Sequence, residues 1–437
     1  MRLCVTLVAT VLLAASGLAQ SPGSAHRFWG QWRGADATGV STTAEPPLEW
    51  SESKNVRWKI EIPGRGSSSP VVWGDRVYLM TAIPAGITGP AQHAPRGGIQ
   101  PRIPHRFVVM AINRKDGKIA WEKTVREEPP HEGSHVDNGT YASSSAATDG
   151  EHLIAFFESK GIFAFDMEGT LLWEKDLGDK KMRNQFGEGS TPALYRDRLV
   201  IVWDQQGGQS FVVALNKKTG EELWRVNRTE IDTWATPLVV EHEGRAQVIV
   251  PGMNRLKSYD LENGEVVWES AGLTMNPIPS PVYADGMVFA TSGFQGNNLK
   301  AIRLAGAKGD ITNTPSIVWS LDRDTPYVPS PILYDGILYI LKTNNGILSA
   351  FDAKTGKPHY QNQRLVAVPN VFASPVGASG RVYFPGREGT TLVIKNSPTF
   401  EVLATNVLED GFDASPALVD KEIYLRGHKF LYCIAAP

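Results

Sequence analysis

The feature that most constrains the fold is a repeat that recurs along the chain. Each copy opens on a serine or threonine, followed in most copies by proline, and continues into two apolar runs separated by a short turn. One position marks each of eight copies, and these positions are Pro70, Ala146, Pro192, Pro237, Pro281, Pro331, Pro375 and Pro416. Successive markers lie 76, 46, 45, 44, 50, 44 and 41 residues apart. A period of roughly 40 to 50 residues is typical of one β-propeller blade.

Within a copy the pattern predicts four short antiparallel strands, of which the fourth is expected to end in an aromatic residue. The long first step comes from a Pro- and Gly-rich stretch, residues 83 to 105, which predicts a loop. The eighth copy stops after its third strand, and an extra strand at residues 55 to 64 precedes the first copy. We therefore predict an all-β fold, an eight-bladed propeller of four-stranded blades that is closed by the N-terminal strand. A set of small β-sandwiches would not explain the displaced strand.

The N-terminus has the features of an export signal. A basic residue precedes an apolar run, and Gly17 and Ala19 place small residues at a cleavage site. The run is shorter than the roughly 20 residues that a membrane span needs. We expect a periplasmic or secreted protein without a membrane span. The predicted organisation is a signal peptide over 1–19, an extension packed on the propeller over 20–54, and the propeller over 55–437.

Charge and cysteine content exclude several classes of function. Lys plus Arg number 44 and Asp plus Glu number 46, without long runs of either sign, which argues against a nucleic-acid partner. Cys4 lies in the predicted signal peptide, too early to accept a lipid, and after its removal only Cys433 remains. Neither an intrachain disulfide nor a cysteine-pair metal site is then possible.

Four segments carry a resemblance to a known family. They are AINRKDGKIAW (111–121), ALNKKTGEELW (214–224), SYDLENGEVVW (258–268) and AFDAKTGKPHY (350–360). They resemble the tryptophan-docking repeat of pyrroloquinoline quinone (PQQ) enzymes, A-x-D-x-x-T-G-x-x-x-W. That superfamily contains quinoprotein dehydrogenases and also cofactor-free propellers, among them the outer-membrane assembly lipoprotein and secreted PQQ-like proteins without established activity. The segment GQWRGADATGV (30–40) is similar to the start of this last group.

The resemblance implies a structural role for the repeated tryptophans. Each indole is expected to cover the Thr-Gly turn of the neighbouring blade, while the Asp or Asn side chain caps the same turn. A contact that is repeated around a ring cannot be a single cofactor site. The predicted docking residues are Trp58, Trp121, Trp173, Trp224, Trp268 and Trp319, with Tyr360 and Leu403 in the equivalent places of the last two full copies.

Propeller ligands bind at the mouth of the central channel, where loops from every blade converge. Residues that precede each innermost strand, or follow each second strand, are predicted to lie there. The candidate ligand-binding residues are Arg65, Tyr141, Glu188, Trp234, Arg255, Lys342, Arg387, Asp413, Arg426 and His428. The five cations of this set could bind an anionic ligand such as an acidic sugar, or they could pair with carboxylates of the same loops.

Three functions stay open at this point. The first, which we predict, is an exported, monomeric, non-catalytic propeller without a cofactor that binds a protein or carbohydrate partner through its loop face. The second is a PQQ- and calcium-dependent dehydrogenase of alcohols or sugars, although the vicinal disulfide of many such enzymes is impossible here. The third is a secreted lyase or hydrolase acting on acidic sugars, with His131, His135, Tyr141, Arg387 and His428 as the residues to consider.

Overall fold

A computed structural model describes residues 26–85, 103–135 and 137–436. Over these residues the chain forms β-strands and two 3-10 turns, Glu158–Lys160 and Arg183–Gln185, and no α-helix. Eight sheets, seven of four strands and one of five, are arranged as the blades of a ring, so the predicted eight-bladed propeller is confirmed. In this part of the chain no helix has the length and hydropathy of a membrane span. The predicted signal peptide and most of the predicted 83–105 loop lie outside the described residues.

The first strand, β1 (Val56–Glu61), precedes the blades in sequence. Blade 1 contains β2 (Val71–Trp73), β3 (Arg76–Pro84), β4 (His105–Asn113) and β5 (Ile119–Glu128). Blade 2 contains β6 (Ala147–Thr148), β7 (Leu153–Phe156), β8 (Ile162–Phe165) and β9 (Leu171–Lys175). Blade 3 contains β10 (Ala193–Tyr195), β11 (Arg198–Trp203), β12 (Ser210–Asn216) and β13 (Glu222–Arg228). Blade 4 contains β14 (Leu238–His242), β15 (Arg245–Val250), β16 (Arg255–Asp260) and β17 (Val266–Ala271).

Blade 5 begins with β18 (Val282–Ala284), β19 (Met287–Ser292) and β20 (Asn298–Arg303). A short strand, β21 (Gly309–Asp310), then pairs with blade 4, and β22 (Ile317–Leu321) completes blade 5. Blade 6 contains β23 (Ile332–Tyr334), β24 (Ile337–Leu341), β25 (Ile347–Asp352) and β26 (Pro358–Arg364). Blade 7 contains β27 (Val376–Ala378), β28 (Arg381–Pro385), β29 (Thr390–Lys395) and β30 (Val402–Val407). Blade 8 contains β31 (Ala417–Val419), β32 (Glu422–Arg426) and β33 (Phe430–Ala435), with β1 as its outer strand.

The N-terminal strand closes the ring, as predicted. β1 pairs antiparallel with β33, and Trp58 lies opposite Cys433. The indole N–H of Trp58 donates to the carbonyl of Arg114 in blade 1 at 2.8 Å. The Arg114 guanidinium in turn lies 2.7 Å from Glu422 of β32. The closing strand is therefore held both within blade 8 and, through Arg114, against blade 1.

The repeated serine or threonine forms a closed ring of hydrogen bonds around the centre of the molecule. The backbone N–H of this residue in one blade donates to the side-chain hydroxyl of its counterpart in the next blade, at 2.8 to 3.1 Å. In order the residues are Ser69, Ser145, Thr191, Thr236, Ser280, Ser330, Ser374 and Ser415, and the last donates back to the first. All eight are buried. The sequence repeat thus supplies acceptors for buried backbone N–H groups.

Most of the repeated tryptophans connect one blade to the next. The indole N–H groups of Trp58, Trp121, Trp173, Trp224 and Trp319 donate to backbone carbonyls of the following blade at 2.8 to 3.2 Å. Gly220 shows why the turn beneath the indole carries glycine. Its φ is +70°, and a Cβ there would lie 2.6 Å from the Trp173 ring.

Two details differ from the sequence-based expectation. Each tryptophan is the third residue of its outer strand, not the last. In blade 7 the strand register places Ala404, opposite Val393, at the position of the tryptophan, in place of Leu403. Trp268 shares a core cluster with Val288 of blade 5 but donates no indole hydrogen bond to any described residue of that blade, and β21 pairs with β17 so that Gly309 lies opposite it. Its indole N–H donates instead to Gln247 Oε1 of its own blade at 3.2 Å.

Residues 48–51 contact the outer strand β30 of blade 7. Residues 26–46 contact one face of the ring, which contains the turns between first and second strands and between third and fourth strands. We call it the hairpin face, and the opposite one the loop face. Trp29 pairs with Val72 of blade 1, and Val40 pairs with Gly377 of blade 7. Arg33 is 1% exposed and donates to the carbonyl of Pro331 in blade 6 at 2.6 Å. The segment therefore contacts the innermost strands of blades 1 and 7 and the start of blade 6.

Candidate functional site

Three of the predicted site residues meet between blades 7 and 8 on the loop face. Arg387 Nε lies 3.1 Å from Asp413 Oδ1, and His428 Nε2 lies 3.0 Å from Asp413 Oδ2. The Arg387 guanidinium also lies 4.4 Å from the ring centre of Phe372 and donates to the carbonyl of Asp137 at 2.5 Å. In this cluster the cation is paired with a carboxylate of a neighbouring loop, which is the second of the two alternatives that the sequence left open.

Arg65 faces the same cluster from blade 1. Burial lowers the pKa of Arg65 below its ordinary value, the negative charge of Asp413 opposes that shift, and the positive charge of Arg387 adds to it. Its backbone pairs with Ala82 of β3, which fixes its position at the start of the innermost strand. Arg65, Arg387 and Asp413 therefore form one electrostatic unit across the seam where the ring closes.

Tyr141 and Glu188 belong to a second cluster, between blades 1, 2 and 3. Ser159 donates its hydroxyl and its backbone N–H to the Glu188 carboxyl group at 2.5 and 3.3 Å. Burial raises the pKa of Glu188 to about 8; Lys180 opposes the shift and Glu158 adds to it. Burial likewise raises the pKa of Tyr141 to about 12. The enclosed cavity between these side chains has a volume of about 20 Å³, which is room for about one water molecule.

In one loop, residues 129–135 and 137–141 bring further groups to this cluster, and among them are His131 and His135 of the third alternative. Glu132 is buried and accepts the backbone N–H of Met182 at 3.2 Å, and burial raises the pKa of its carboxyl group to about 7. His131 Nε2 lies 2.7 Å from the carbonyl of Lys180. His135 donates its backbone N–H to the carbonyl of Phe186 at 3.0 Å.

The same loop crosses the channel mouth. Its His131 to His135 part contacts the connection between blades 2 and 3, whereas the carbonyl of Asp137 accepts from Arg387 of blade 7. Blades 3 and 7 lie on opposite sides of an eight-bladed ring. One segment over the mouth therefore joins the two predicted clusters. Asp137 and Arg387, which form this contact, are 250 positions apart, so no local sequence pattern could indicate it.

Two other predicted residues lie on the loop face at separate places. The indole N–H of Trp234 donates to the carbonyl of Gly187 at 2.8 Å and so joins the connections on both sides of blade 3. Lys342 Nζ lies 2.7 Å from Asp324 Oδ1 at the side of blade 6. Both side chains hold neighbouring connections together.

Arg255 differs from the expectation, because its side chain does not point to the mouth. Its Nη2 atom lies 2.6 Å from Glu269 on β17 and 2.6 Å from Asp310 on β21. Both partners belong to the outer edge of blade 4. Arg255 therefore binds the added strand β21 to this blade.

Arg426 also differs from the expectation. It is 2% exposed and donates to the carbonyls of Ser68 and Met80. Burial lowers its pKa to about 9. The side chain ties blade 8 to blade 1 from inside the wall of the ring, where a ligand at the mouth would not reach it.

An open groove of about 1420 Å³ lies beside the mouth on the loop face. Ionisable side chains and five amides line it, and the amides belong to Asn184, Gln185, Gln205, Gln206 and Gln209. Asn184 and Gln185 have φ values of 51° and 54°, a left-handed conformation that is costly for two consecutive non-glycine residues. Beneath the groove Arg228 and Asp204 form a buried ion pair at 2.8 Å. None of these five amides is among the candidate ligand-binding residues of the sequence analysis, although the run QQGGQ at 205–209 was a usable signal.

The described residues offer one group of three potential metal ligands, Asp149, Glu151 and His152. This group lies in a turn on the hairpin face, away from the predicted site. Asp149 is also ion-paired with Lys217. The geometry gives this group no connection to the loop face.

Comparisons with known proteins agree with the repeat and the ring. The sequence model of the family described as outer membrane protein assembly factor BamB matches residues 34–210 and 208–435. Tetrathionate hydrolase of Acidithiobacillus ferrooxidans is 24% identical over 348 residues, 72% of this chain and 66% of the hydrolase, so the chain spans less than two thirds of that relative. Outer membrane protein assembly factor BamB of Yersinia pestis is 22% identical over 334 residues, 73% of this chain and 77% of that protein. The crystal structure of quinohemoprotein alcohol dehydrogenase from Comamonas testosteroni shares the fold, with a TM-score of 0.67 at 11% identity over 95% of this chain and 82% of that one.

Proposed function

Because the chain belongs to the family described as outer membrane protein assembly factor BamB, we propose that it binds a protein partner through the open groove of its loop face. In this proposal the protein is an exported, monomeric propeller that needs no cofactor, and a signal peptide at residues 1–19 directs it to the periplasm or beyond. The observation that carries the proposal is the groove itself, which lies open beside a channel mouth crossed by residues 129–141.

The side chains of the groove fit an extended peptide segment. Each amide offers both a donor and an acceptor, which are the groups that pair with a peptide backbone. Ile231 is 37% exposed and adds an apolar contact at one end. No phenylalanine, tyrosine or tryptophan lines this groove among the described residues, so a sugar ring would find no such ring on which to stack. The groove therefore favours a protein over a carbohydrate partner.

The PQQ alternative requires room at the mouth for a tricyclic quinone with three carboxylates and for calcium. The cavity between Tyr141 and Glu188 is about 20 Å³, whereas sites for small molecules have roughly 300 to 1,000 Å³. Arg387 and His428 are engaged with Asp413, and residues 129–141 cross the opening. This arrangement argues against the cofactor, and the same engaged side chains argue against the lyase or hydrolase alternative. Both points support the partner-binding proposal.

Site-specific photo-crosslinking in cell-envelope extract tests the proposal. A photo-reactive amino acid at Gln206, in the groove, is expected to give a discrete adduct with one protein. The same substitution at exposed Lys218, in a turn of the hairpin face, is the matched control and is expected to give none. The double variant Gln206→Ala and Gln209→Ala should bind the protein partner about tenfold more weakly. Its Tm should not fall, since surface substitutions change stability by about 0.5 kcal/mol or less. An adduct from Lys218 but not from Gln206 would contradict the proposal.

A separate measurement addresses the alternative enzyme. The purified protein is mixed with PQQ and calcium, and quinone absorbance, thermal stability and dye reduction with alcohols or sugars are recorded. No saturable change is expected. A rise in Tm that saturates with PQQ would show a formed cofactor site, because a ligand that binds only the folded state stabilises it.

A further inference from the structure

A second pocket lies on the hairpin face, away from the proposed partner groove. It has a volume of about 480 Å³ and lies between residues 31–42 and blades 3 to 6. Four aromatic side chains line it, and they belong to Trp32, Tyr195, Tyr283 and Tyr334. Three carboxylates line it, and they belong to Asp36, Glu241 and Asp335. No lysine, arginine or histidine lines the pocket in the part of the chain that the structure describes.

Among the large side chains of residues 29–33, Trp32 is the one that neither lies in the core nor forms a hydrogen bond with the described residues of the blades. Trp29 is 1% exposed in the core, Gln31 accepts the backbone N–H of Leu194 at 3.3 Å, and Arg33 is anchored to Pro331. Trp32 is half-buried, lines the pocket, and donates no hydrogen bond from its indole N–H to any described residue. Arg33 lies 5.7 Å from its ring and is itself buried. The half-buried indole ring is therefore open to contact with a ligand in the pocket.

The carboxylates leave the pocket with unbalanced negative charge. Glu241 is paired with Arg196 at 2.8 Å and with the Tyr195 hydroxyl at 2.6 Å. Asp335, in contrast, accepts only from the neutral amide of Asn396 at 3.0 Å among the described residues. Asp36 has His26 as its nearest ionisable partner, at 3.5 Å. Two carboxylates thus lie at the pocket without a lysine or arginine partner in the described part of the chain.

We propose that this pocket binds an organic cation, an ammonium or guanidinium group carried on an apolar body. Aromatic rings attract cations through their negative faces, and the two carboxylates supply the opposite charge. The apolar side chains of Leu194, Val239 and Leu333 line the remaining wall and suit the hydrocarbon part. The cation could be a free amine or the basic side chain of a peptide. An anion would be repelled, and a neutral ligand of the same shape would gain nothing from the carboxylates.

Titration calorimetry with choline and its neutral isostere 3,3-dimethyl-1-butanol tests the proposal on the full chain. Choline is expected to bind saturably, and the neutral isostere about tenfold more weakly. Trp32→Ala should weaken choline binding about tenfold, and Trp32→Phe should restore most of the affinity because the aromatic face is kept. Asp335→Asn should weaken it about threefold without loss of stability, since asparagine tolerates the φ of 48° found at this position. Val366→Ala, in the exposed connection that follows β26, is the control and should leave binding unchanged.

Three results would overturn the proposal. They are equal affinity for choline and its isostere, no binding at about 50 mM choline, and binding of glucose in place of choline. The peptide Gly-Gly-Lys-Gly-Gly separates the two sources of the cation, because tighter binding of the peptide than of choline would assign the pocket to a partner's side chain. The Gln206→Ala and Gln209→Ala changes should not affect choline binding, so this proposal and the loop-face proposal succeed or fail independently.

Discussion

At the scale of single residues, the carboxyl group of Glu188 links folding to pH. Its pKa in the folded protein is about 8, against an ordinary value of 4.5, chiefly because of burial. The folded protein therefore keeps a proton that the unfolded chain releases. The resulting contribution to stability is fully present below pH 4.5 and is lost as the pH rises through about 8.

Glu188→Gln should remove this dependence, since glutamine stays neutral and keeps an oxygen for Ser159. We expect the free energy of unfolding of the unchanged protein to fall by about 1 to 2 kcal/mol more than that of the variant between roughly pH 5 and pH 8. Urea denaturation at both pH values measures the difference. The exposed Glu122→Gln is the control and should follow the unchanged protein. Parallel pH profiles for Glu188→Gln and the unchanged protein would show that Glu188 is ionised in the fold.

At the scale of elements, the hydroxyl ring explains why each innermost strand begins as it does. The Ser280 hydroxyl accepts the Thr236 N–H at 2.8 Å, and the Ser280 N–H donates to Ser330 at 2.9 Å. Ser280→Ala leaves the buried Thr236 N–H without an acceptor, which should cost about 1 to 3 kcal/mol. Thermal denaturation measures the loss, and Ser280→Thr should recover most of it. The exposed Ser320→Ala is the control, and an equal Tm for both alanine variants would mean that the ring link carries no stability.

Strands and blades could be predicted from the sequence because their signals are local. The alternation of apolar residues and the repeat spacing specify each hairpin, and the displaced strand β1 specifies the closure. The direction in which a loop side chain points could not be predicted from the repeat, as Arg387 and Arg426 show. Each follows or ends a second strand, yet Arg387 lies at the mouth while Arg426 is buried against carbonyls of blade 1. Which direction is taken depends on the neighbouring blade, and that contact is not encoded within the repeat.

Insertions account for the remaining differences at this scale. The longer connection in blade 5 contains β21, which covers Trp268 and engages Arg255 through Asp310. The longer connection after blade 1 crosses the mouth and meets Arg387. Both segments lack the repeat pattern, so sequence reasoning could mark them as loops but could not say what they touch.

At the scale of the whole molecule, ring closure depends on β1, the strand that precedes the blades in sequence. A chain that lacks residues 1–61 would leave the edge of β33 unpaired and lose the Trp58 hydrogen bond to Arg114. A chain that lacks only residues 1–54 keeps β1 but loses the contacts of Trp29 and Arg33 with the innermost strands. The two truncations therefore separate closure from the covering of the hairpin face. They also test the proposed boundary between the extension and the propeller.

We expect the shorter truncation to unfold cooperatively as a monomer at a lower Tm than the full chain, and the longer one to aggregate, because an open edge strand pairs with other chains. Size-exclusion chromatography and thermal denaturation distinguish these states. A synthetic peptide of residues 50–63, added during refolding, should restore the monomer of the longer truncation, since the strand then pairs with β33 in trans. If the chain without β1 were as monomeric and unfolded as cooperatively as the chain that keeps it, the seven complete blades would be sufficient for a closed, stable ring. The displaced strand would then contribute only local packing.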